Sequence, residues 1–267
     1  MSQPDLTLLK LGGSLITDKD RPRTPRPDVL ARLAEEIAAA RAQQPGLRLI
    51  LGHGSGSFGH MAAKKHGTRQ GVTSPAGWLG FAEVWKEAHA LDEVVLNALL
   101  SVGLPVMAFQ PSAAVVASDG QVLRWDLAPI QAALDHGLLP LVYGDVIFDT
   151  QLGGTILSTE DLFLHLARRL SARRILLAGL EEGVWADFPA STRLIERITP
   201  ADLAASRQQI GGSASVDVTG GMLQKVESML ELAQELPHLE AVIFSGLKPG
   251  LVHAALLGAQ PGTTLCR

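Results

Sequence analysis

Three glycine-rich stretches of this chain each stand with a basic side chain, a lysine in two of them and a histidine in the other, and that pairing of residue types suits the binding of phosphate. The first is Lys10-Leu11-Gly12-Gly13-Ser14. Glycines lack a Cβ, so successive backbone N–H groups can approach an anion closely, and Lys10 adds a full positive charge beside them. The second is His53-Gly54-Ser55-Gly56-Ser57-Phe58-Gly59-His60. A helix beginning near Gly59 would aim its N-terminus at an anion, and His60 could donate a charged hydrogen bond to it. The third is Asp217-Val218-Thr219-Gly220-Gly221-Met222, with Lys225 one turn into the helix that the glycines open. Taken singly, each also reads as a tight turn with a solvated cation. Three of them, expected at the C-terminal ends of strands, read together as two phosphorylated ligands facing each other, which is the arrangement needed for phosphoryl transfer.

Two other nucleotide motifs are excluded. The chain contains no G-x-x-x-x-G-K-[ST]. The literal G-x-G-x-x-G from Gly54 to Gly59 lacks the acidic residue about 20 positions later that would hold a ribose, and a long helical pattern follows it where a strand would be needed.

The elements that must position these residues alternate. Apolar runs at residues 6–11, 47–51, 105–109, 138–148, 174–178 and 241–244 read as strands or contain one. Helical spacing marks residues 77–100, 126–135, 222–236 and 251–257. Another helix opens at Pro27-Asp28, with Asp28 as N-cap, and buries Val29, Leu30, Leu33 and Ile37 before Pro45-Gly46 ends it. Gly153-Gly154 suggests a hairpin turn. Ser158 and Asp161 form a capping box with Asp in place of the usual Glu, so a helix starts there. This alternation predicts an α/β fold, a three-layer αβα sandwich around a mainly parallel sheet. The polar, irregular stretch 181–215 is expected to mark a passage between two lobes of one continuous fold, residues 1–178 and 179–267.

Composition narrows the class. Of 267 residues 46% are hydrophobic and 19% charged, ample for a core and wrong for disorder. The net charge of −4 gives no sign of a nucleic-acid partner. A single cysteine, Cys266, excludes a disulfide framework. The N-terminal residues lack a leader pattern and no run of about 18 apolar residues occurs, so a soluble, cytoplasmic protein without a membrane partner is expected.

In their order along the chain, K-L-G-G-S, the glycine-rich loop ending at His60, Gly144-Asp145-Val146 and G-G-M-x-x-K at Gly220–Lys225 resemble the amino acid kinase superfamily over nearly the whole length. Ile16-Thr17-Asp18-Lys19 and the histidine that closes the second loop are similar to the isopentenyl phosphate kinase branch, with fosfomycin kinases sharing that histidine. The resemblance implies transfer of a phosphoryl group from ATP to isopentenyl phosphate, the alternatives being another small phosphate or phosphonate acceptor, or a non-catalytic nucleotide-binding protein of this fold. It places ATP over the C-terminal lobe and the phosphorylated acceptor over the N-terminal one. It assigns Lys10, Lys19, His60, Lys225 and Glu160 to catalysis. Gly12, Gly13, Ser14, Gly183, Val184, Trp185, Gly220 and Gly221 fall to ATP, and Gly54, Ser55, Gly56, Gly59, Gly144 and Asp145 to the acceptor. It further implies Mg²⁺ bound with the nucleotide, no metal held by side chains, and a homodimer. For an isopentenyl tail, Phe81, Val84 and Ala88 offer an apolar helix face, which could equally be plain core. Two departures stand out: Ser158-Thr159-Glu160-Asp161 where the family commonly has Ser-Gly-Asp-Asp, and Gly179-Leu180-Glu181-Glu182-Gly183-Val184-Trp185 where it often reads T-D-V-D-G-V-Y.

Overall fold

The computed structural model describes residues 5–206 and 221–267. Strand β1 (Leu6–Leu11) runs into a single helical turn, α1 (Gly13–Ile16). Helix α2 (Pro27–Gln43) takes Pro27 at its start, where a missing N–H costs nothing, so the N-cap is Arg26 and Asp28 sits in the first turn. β2 (Arg48–His53) leads to α3 (Gly56–His66), which starts at Gly56; Gly59 and His60 therefore lie inside the helix and do not open it. A 3-10 turn at Thr68–Gln70 precedes the long α4 (Pro75–Ser101), whose N-cap Ser74 accepts the Gly77 N–H. β3 (Val106–Ala108) and α5 (Pro111–Ala114) follow, then a hairpin of β4 (Val115–Ser118) and β5 (Gln121–Trp125).

After α6 (Ala128–Asp135), the apolar run 138–148 holds two strands, β6 (Leu139–Tyr143) and β7 (Asp145–Asp149), parted at Gly144. β8 (Gly153–Leu157) begins at the paired glycines; the turn itself comes just before, where the Asp149 carboxylate accepts the N–H groups of Gln151 and Leu152. Gly153 is required there because its φ is +73° and a Cβ would strike the Val72 carbonyl. α7 (Thr159–Leu170) carries the expected capping box of Ser158 and Asp161, and β9 (Arg174–Gly179) follows. The polar stretch after it holds β10 (Val184–Trp185), β11 (Leu194–Ile195), β12 (Arg197–Ile198) and α8 (Pro200–Ser206). α9 (Met222–Glu235), β13 (Glu240–Ser245), α10 (Leu251–Leu256) and β14 (Thr263–Leu265) complete the described chain.

The main sheet has the order β12-β14-β13-β9-β1-β2-β6-β3, and from β13 to β3 all neighbours are parallel. Its strands alternate between two buried faces, as a sheet sandwiched by helices must. In β1, Leu6 and Leu8 join the core under α6, α7 and α9, while Leu9 and Leu11 join the core under α2, α4 and α10. A smaller sheet, β5-β4-β7-β8, is attached beyond this sandwich. A third apolar cluster of Ala62, Ala63, Val72, Phe81, Val84 and Val146 fills the space between α3, α4 and β7.

Candidate active site

A glycine stands at or just past the C-terminal end of β1, β2, β6, β9 and β13: Gly12, Gly54, Gly144, Gly179 and Gly246. The loops after β1 and β2 touch backbone to backbone. A Cβ on Gly13 would lie 2.5 Å from the Gly56 nitrogen, and one on Gly54 would lie 3.0 Å from the Gly13 nitrogen. Gly56 has φ +51°, and a Cβ there would run into the Thr17 side chain. These glycines thus serve the contact between the two loops, a demand the sequence does not reveal. Thr17, fully buried, locks that contact: its hydroxyl donates to the Gly13 carbonyl (2.7 Å) and accepts the Ser57 N–H (2.9 Å).

Lys10 leaves β1 beneath Gly54, whose position would put a Cβ 3.8 Å from the lysine Cε. Its ammonium pairs with Glu160 in the first turn of α7. The Lys225 ammonium, from α9, lies 3.8 Å from the other Glu160 oxygen. One carboxylate therefore sits between two cations, with the Lys10 and Glu160 side chains largely shielded (13% and 15% exposed). Burial pushes the Glu160 carboxyl up, but Lys10 and Lys225 together outweigh it and hold it below the usual carboxylate range. Glu160 owes its place to the first turn of α7, which is fixed twice. Asp161 closes the capping box, and the Thr159 hydroxyl donates to the His53 carbonyl at 2.5 Å.

A cavity opens beside this triad, walled by Lys10, Lys19, Glu160, the glycine loops with Ser14 and Ser55, Gly144, and His60. The His60 Nδ1 is 2.9 Å from the Ser55 hydroxyl, which orients the ring. Past His60 the cavity continues into a smaller, mostly apolar space lined by Ala63, Val84, Ala88 and Ile156, with Gly59, Arg69 and Asp145 also on its wall. Behind the second loop the buried His53 has its Nε2 3.0 Å from Asp92 and its Nδ1 3.2 Å from the Gly54 carbonyl, and stacks on Tyr143. Chemically, this is a chamber with two lysines and backbone N–H groups, able to accept phosphate, joined to a short hydrophobic pocket.

The amino acid kinase family model matches residues 5–245. The chain belongs to the amino acid kinase family. Within it, the isopentenyl phosphate kinase of Methanocaldococcus jannaschii is 33% identical, over 97% of this chain and 98% of that protein. The enzyme of the same name from Haloferax volcanii is 36% identical, again over 97% and 98%. A crystal structure of an isopentenyl phosphate kinase superimposes with a TM-score of 0.82 at 31% identity, covering 97% of this chain and 99% of that one.

Not every residue that the family resemblance singled out comes to the cavity. Gly12 donates its N–H to the Ala178 carbonyl (2.8 Å), so that donor holds β9. Phe81 lies in the aromatic cluster with Trp78 and Phe148, packed over Gly154, and not on the cavity wall where Val84 and Ala88 stand. Asp145 does reach the wall of the apolar space, but its carboxylate is turned onto the backbone N–H groups of Ser112 (3.0 Å) and Val146 (2.8 Å). Gly183 and Val184 pack on Thr263, whose hydroxyl accepts the Val184 N–H; the Trp185 indole donates to Glu181. None of the three lines the cavity beside Lys10. Gly221 is the N-cap of α9, while residues 217–220 lie outside the described residues. The element described before that stretch is α8, so the third glycine site follows no described strand. Ile156 and Arg69 are site neighbours that residue type and spacing do not single out, and Thr17 and Thr159 stand inside motifs of the resemblance without a role of their own. Their roles are contacts between distant segments, for which a single sequence carries no signal.

Proposed function

We propose that the protein phosphorylates isopentenyl phosphate with ATP, giving isopentenyl diphosphate and ADP. The observation that carries this reading is the join between the two spaces. A chamber with Lys10, Lys19 and Glu160, the last paired with Lys225, meets, at His60, a short pocket of Ala63, Val84, Ala88 and Ile156. A phosphomonoester with a short apolar tail fits that polarity; an amino acid acceptor would need partners for its ammonium and carboxylate in the apolar part.

In this account the acceptor phosphate sits against His60 and the loop from Gly54 to Gly56, its tail between α3 and α4. A phosphate oxygen is already anionic at neutral pH, so the attack on the γ-phosphorus requires no general base. The new oxygen–phosphorus bond forms as the bond to the β-phosphate oxygen breaks, and ADP leaves. Catalysis then consists of alignment and charge stabilisation. Lys10 and Lys225 follow the moving phosphoryl group, and Glu160 holds their ammonium groups in register. Lys19 and Ser14 contact ATP phosphate from the first loop. The donor set suits Mg²⁺ carried by the nucleotide phosphates, since Glu160 is engaged with the lysines; there the ion would neutralise charge on the phosphate oxygens. A homodimer, which the family resemblance supports, completes the proposal. No helix among the described residues is long and apolar enough to cross a membrane.

Steady-state turnover on isopentenyl, dimethylallyl and geranyl phosphates and on fosfomycin tests the acceptor. Preference for the two five-carbon phosphates is expected. Exclusive use of fosfomycin would replace this reading with a phosphonate kinase.

A further inference from the structure

Arg69 stands on the 3-10 turn between α3 and α4, where the residue borders two regions that the transfer must coordinate. On one side it lines the apolar pocket beyond His60. On the other its Nη2 lies 3.4 Å from the Asp161 Oδ2. That same carboxylate oxygen accepts the Ser158 N–H (2.7 Å) and the Ser158 hydroxyl (2.8 Å), closing the cap of α7. Glu160, which bridges Lys10 and Lys225, is the adjacent residue in that first turn. The turn bearing Arg69 is itself anchored, since its carbonyl accepts the Thr155 hydroxyl at 3.0 Å.

The Arg69 Nη1 is buried and has no hydrogen-bond partner. A buried guanidinium N–H without an acceptor is costly. The Asp161 cap does not need Arg69, because Ser158 satisfies it from both backbone and side chain. What the side chain adds is a rigid, planar link from the pocket wall to the helix that carries Glu160.

We propose that Arg69 is a positioning residue for phosphoryl transfer: it fixes the first turn of α7, and with it Glu160 and the two lysines, against the wall of the acceptor pocket. This rests on the acceptor site proposed above. It is distinct from holding the acceptor phosphate, which falls to His60 and the second loop. The link acts on the alignment of the transferring group, so its loss is read in kcat, while the affinity for ATP stays as it was.

The test uses the full chain as wild type, Arg69→Met, Arg69→Lys, Glu160→Gln and the Arg69→Met/Glu160→Gln double variant. Isopentenyl phosphate and ATP are varied in turn, and Tm is measured alongside. Arg69→Met is expected to lower kcat by about tenfold, with the KM for ATP within about twofold of wild type. Arg69→Lys, which can still reach Asp161, should recover most of that loss. The double variant should be no slower than Glu160→Gln alone, because both changes act through one carboxylate. A wild-type kcat in Arg69→Met overturns the proposal. So does a defect that lysine does not rescue and that follows the fall in Tm, or a double variant whose losses multiply. If wild type ignores isopentenyl phosphate, the acceptor reading fails by itself, and the Arg69 series is read on whichever phosphate or phosphonate is turned over. If none is, both fall.

Discussion

His60 reaches the cavity from α3 and Glu160 from α7, and their surroundings predict different defects. A hydrogen bond to a charged, shielded phosphate contributes about 1.5–3 kcal/mol, so His60→Ala should cost roughly 10- to 100-fold in kcat/KM for isopentenyl phosphate. The KM for ATP should not change, and His60→Gln should retain part of the activity because an amide still donates. Glu160→Gln keeps the shape but removes the charge that holds two ammonium groups together. Loss of one preorganised electrostatic contact lowers kcat by about 10²-fold, whereas the KM for ATP should not rise, because the wall gains positive charge. Glu160→Asp should remain substantially active, since the family commonly carries Asp there; kinetics on the three variants separates these outcomes. The cations of the site were legible because Lys10, His60 and Lys225 stand beside glycines, a pairing with few other uses. Thr17, Thr159 and Arg69 were not, because each acts on a segment far away in sequence. Gly12 and Phe81 show the converse: their residue types fit a ligand site, yet the one bonds β9 and the other packs on Trp78.

At the scale of elements, the site depends on two loops that touch without side chains between them. Thr17→Val keeps the volume but leaves the buried Ser57 N–H without its acceptor. A loss of about 1–3 kcal/mol in stability is expected, together with a fall in kcat/KM for the acceptor as the loops part. Chemical denaturation and kinetics on one preparation would show both. Glu36 on α2 ties down the C-terminal part of the chain: its carboxylate accepts the N–H groups of Gly250, Val252 and His253 at the start of α10, and Arg32 bonds both Glu36 and the Gly246 carbonyl. Glu36→Ala strips three donors of their partner and leaves Arg32 without its carboxylate. We expect a cost of about 3 kcal/mol, or a Tm lower by roughly 6–12 °C for a chain of this size. The long helices and the parallel strands were legible from their periods, 3.6 and 2. The β4–β5 hairpin carries a strong local signal of another kind, Asp119-Gly120 as its two-residue turn with both φ angles positive. β10, β11 and β12, with two residues each, are too short to show any period and exist through their pairing.

For the molecule as a whole, one buried charge links stability to pH. Burial pushes the Asp145 carboxyl up to about 6, against the hydrogen bonds from Ser112 and Val146, and the nearby Asp92 adds to the rise. A folded pKa above the unfolded one means that the stabilising contribution is complete below about pH 4, fades as the group ionises, and is gone above about pH 6. Asp145→Asn removes that dependence. Its stability relative to wild type should therefore improve on going from about pH 4 to about pH 7.5, by up to roughly 2 kcal/mol, whatever offset the lost hydrogen bond introduces. Urea denaturation at both pH values checks the slope, and an unchanged difference would show that folding does not raise the Asp145 pKa.

The central claim concerns the acceptor, and phosphorus NMR on the full chain with ATP, Mg²⁺ and isopentenyl phosphate reads it directly. The account predicts that the phosphomonoester signal is replaced by the coupled pair of a diphosphate ester, in step with the appearance of ADP. ADP formed with isopentenyl phosphate left intact, or no reaction while another acceptor is converted, would contradict it.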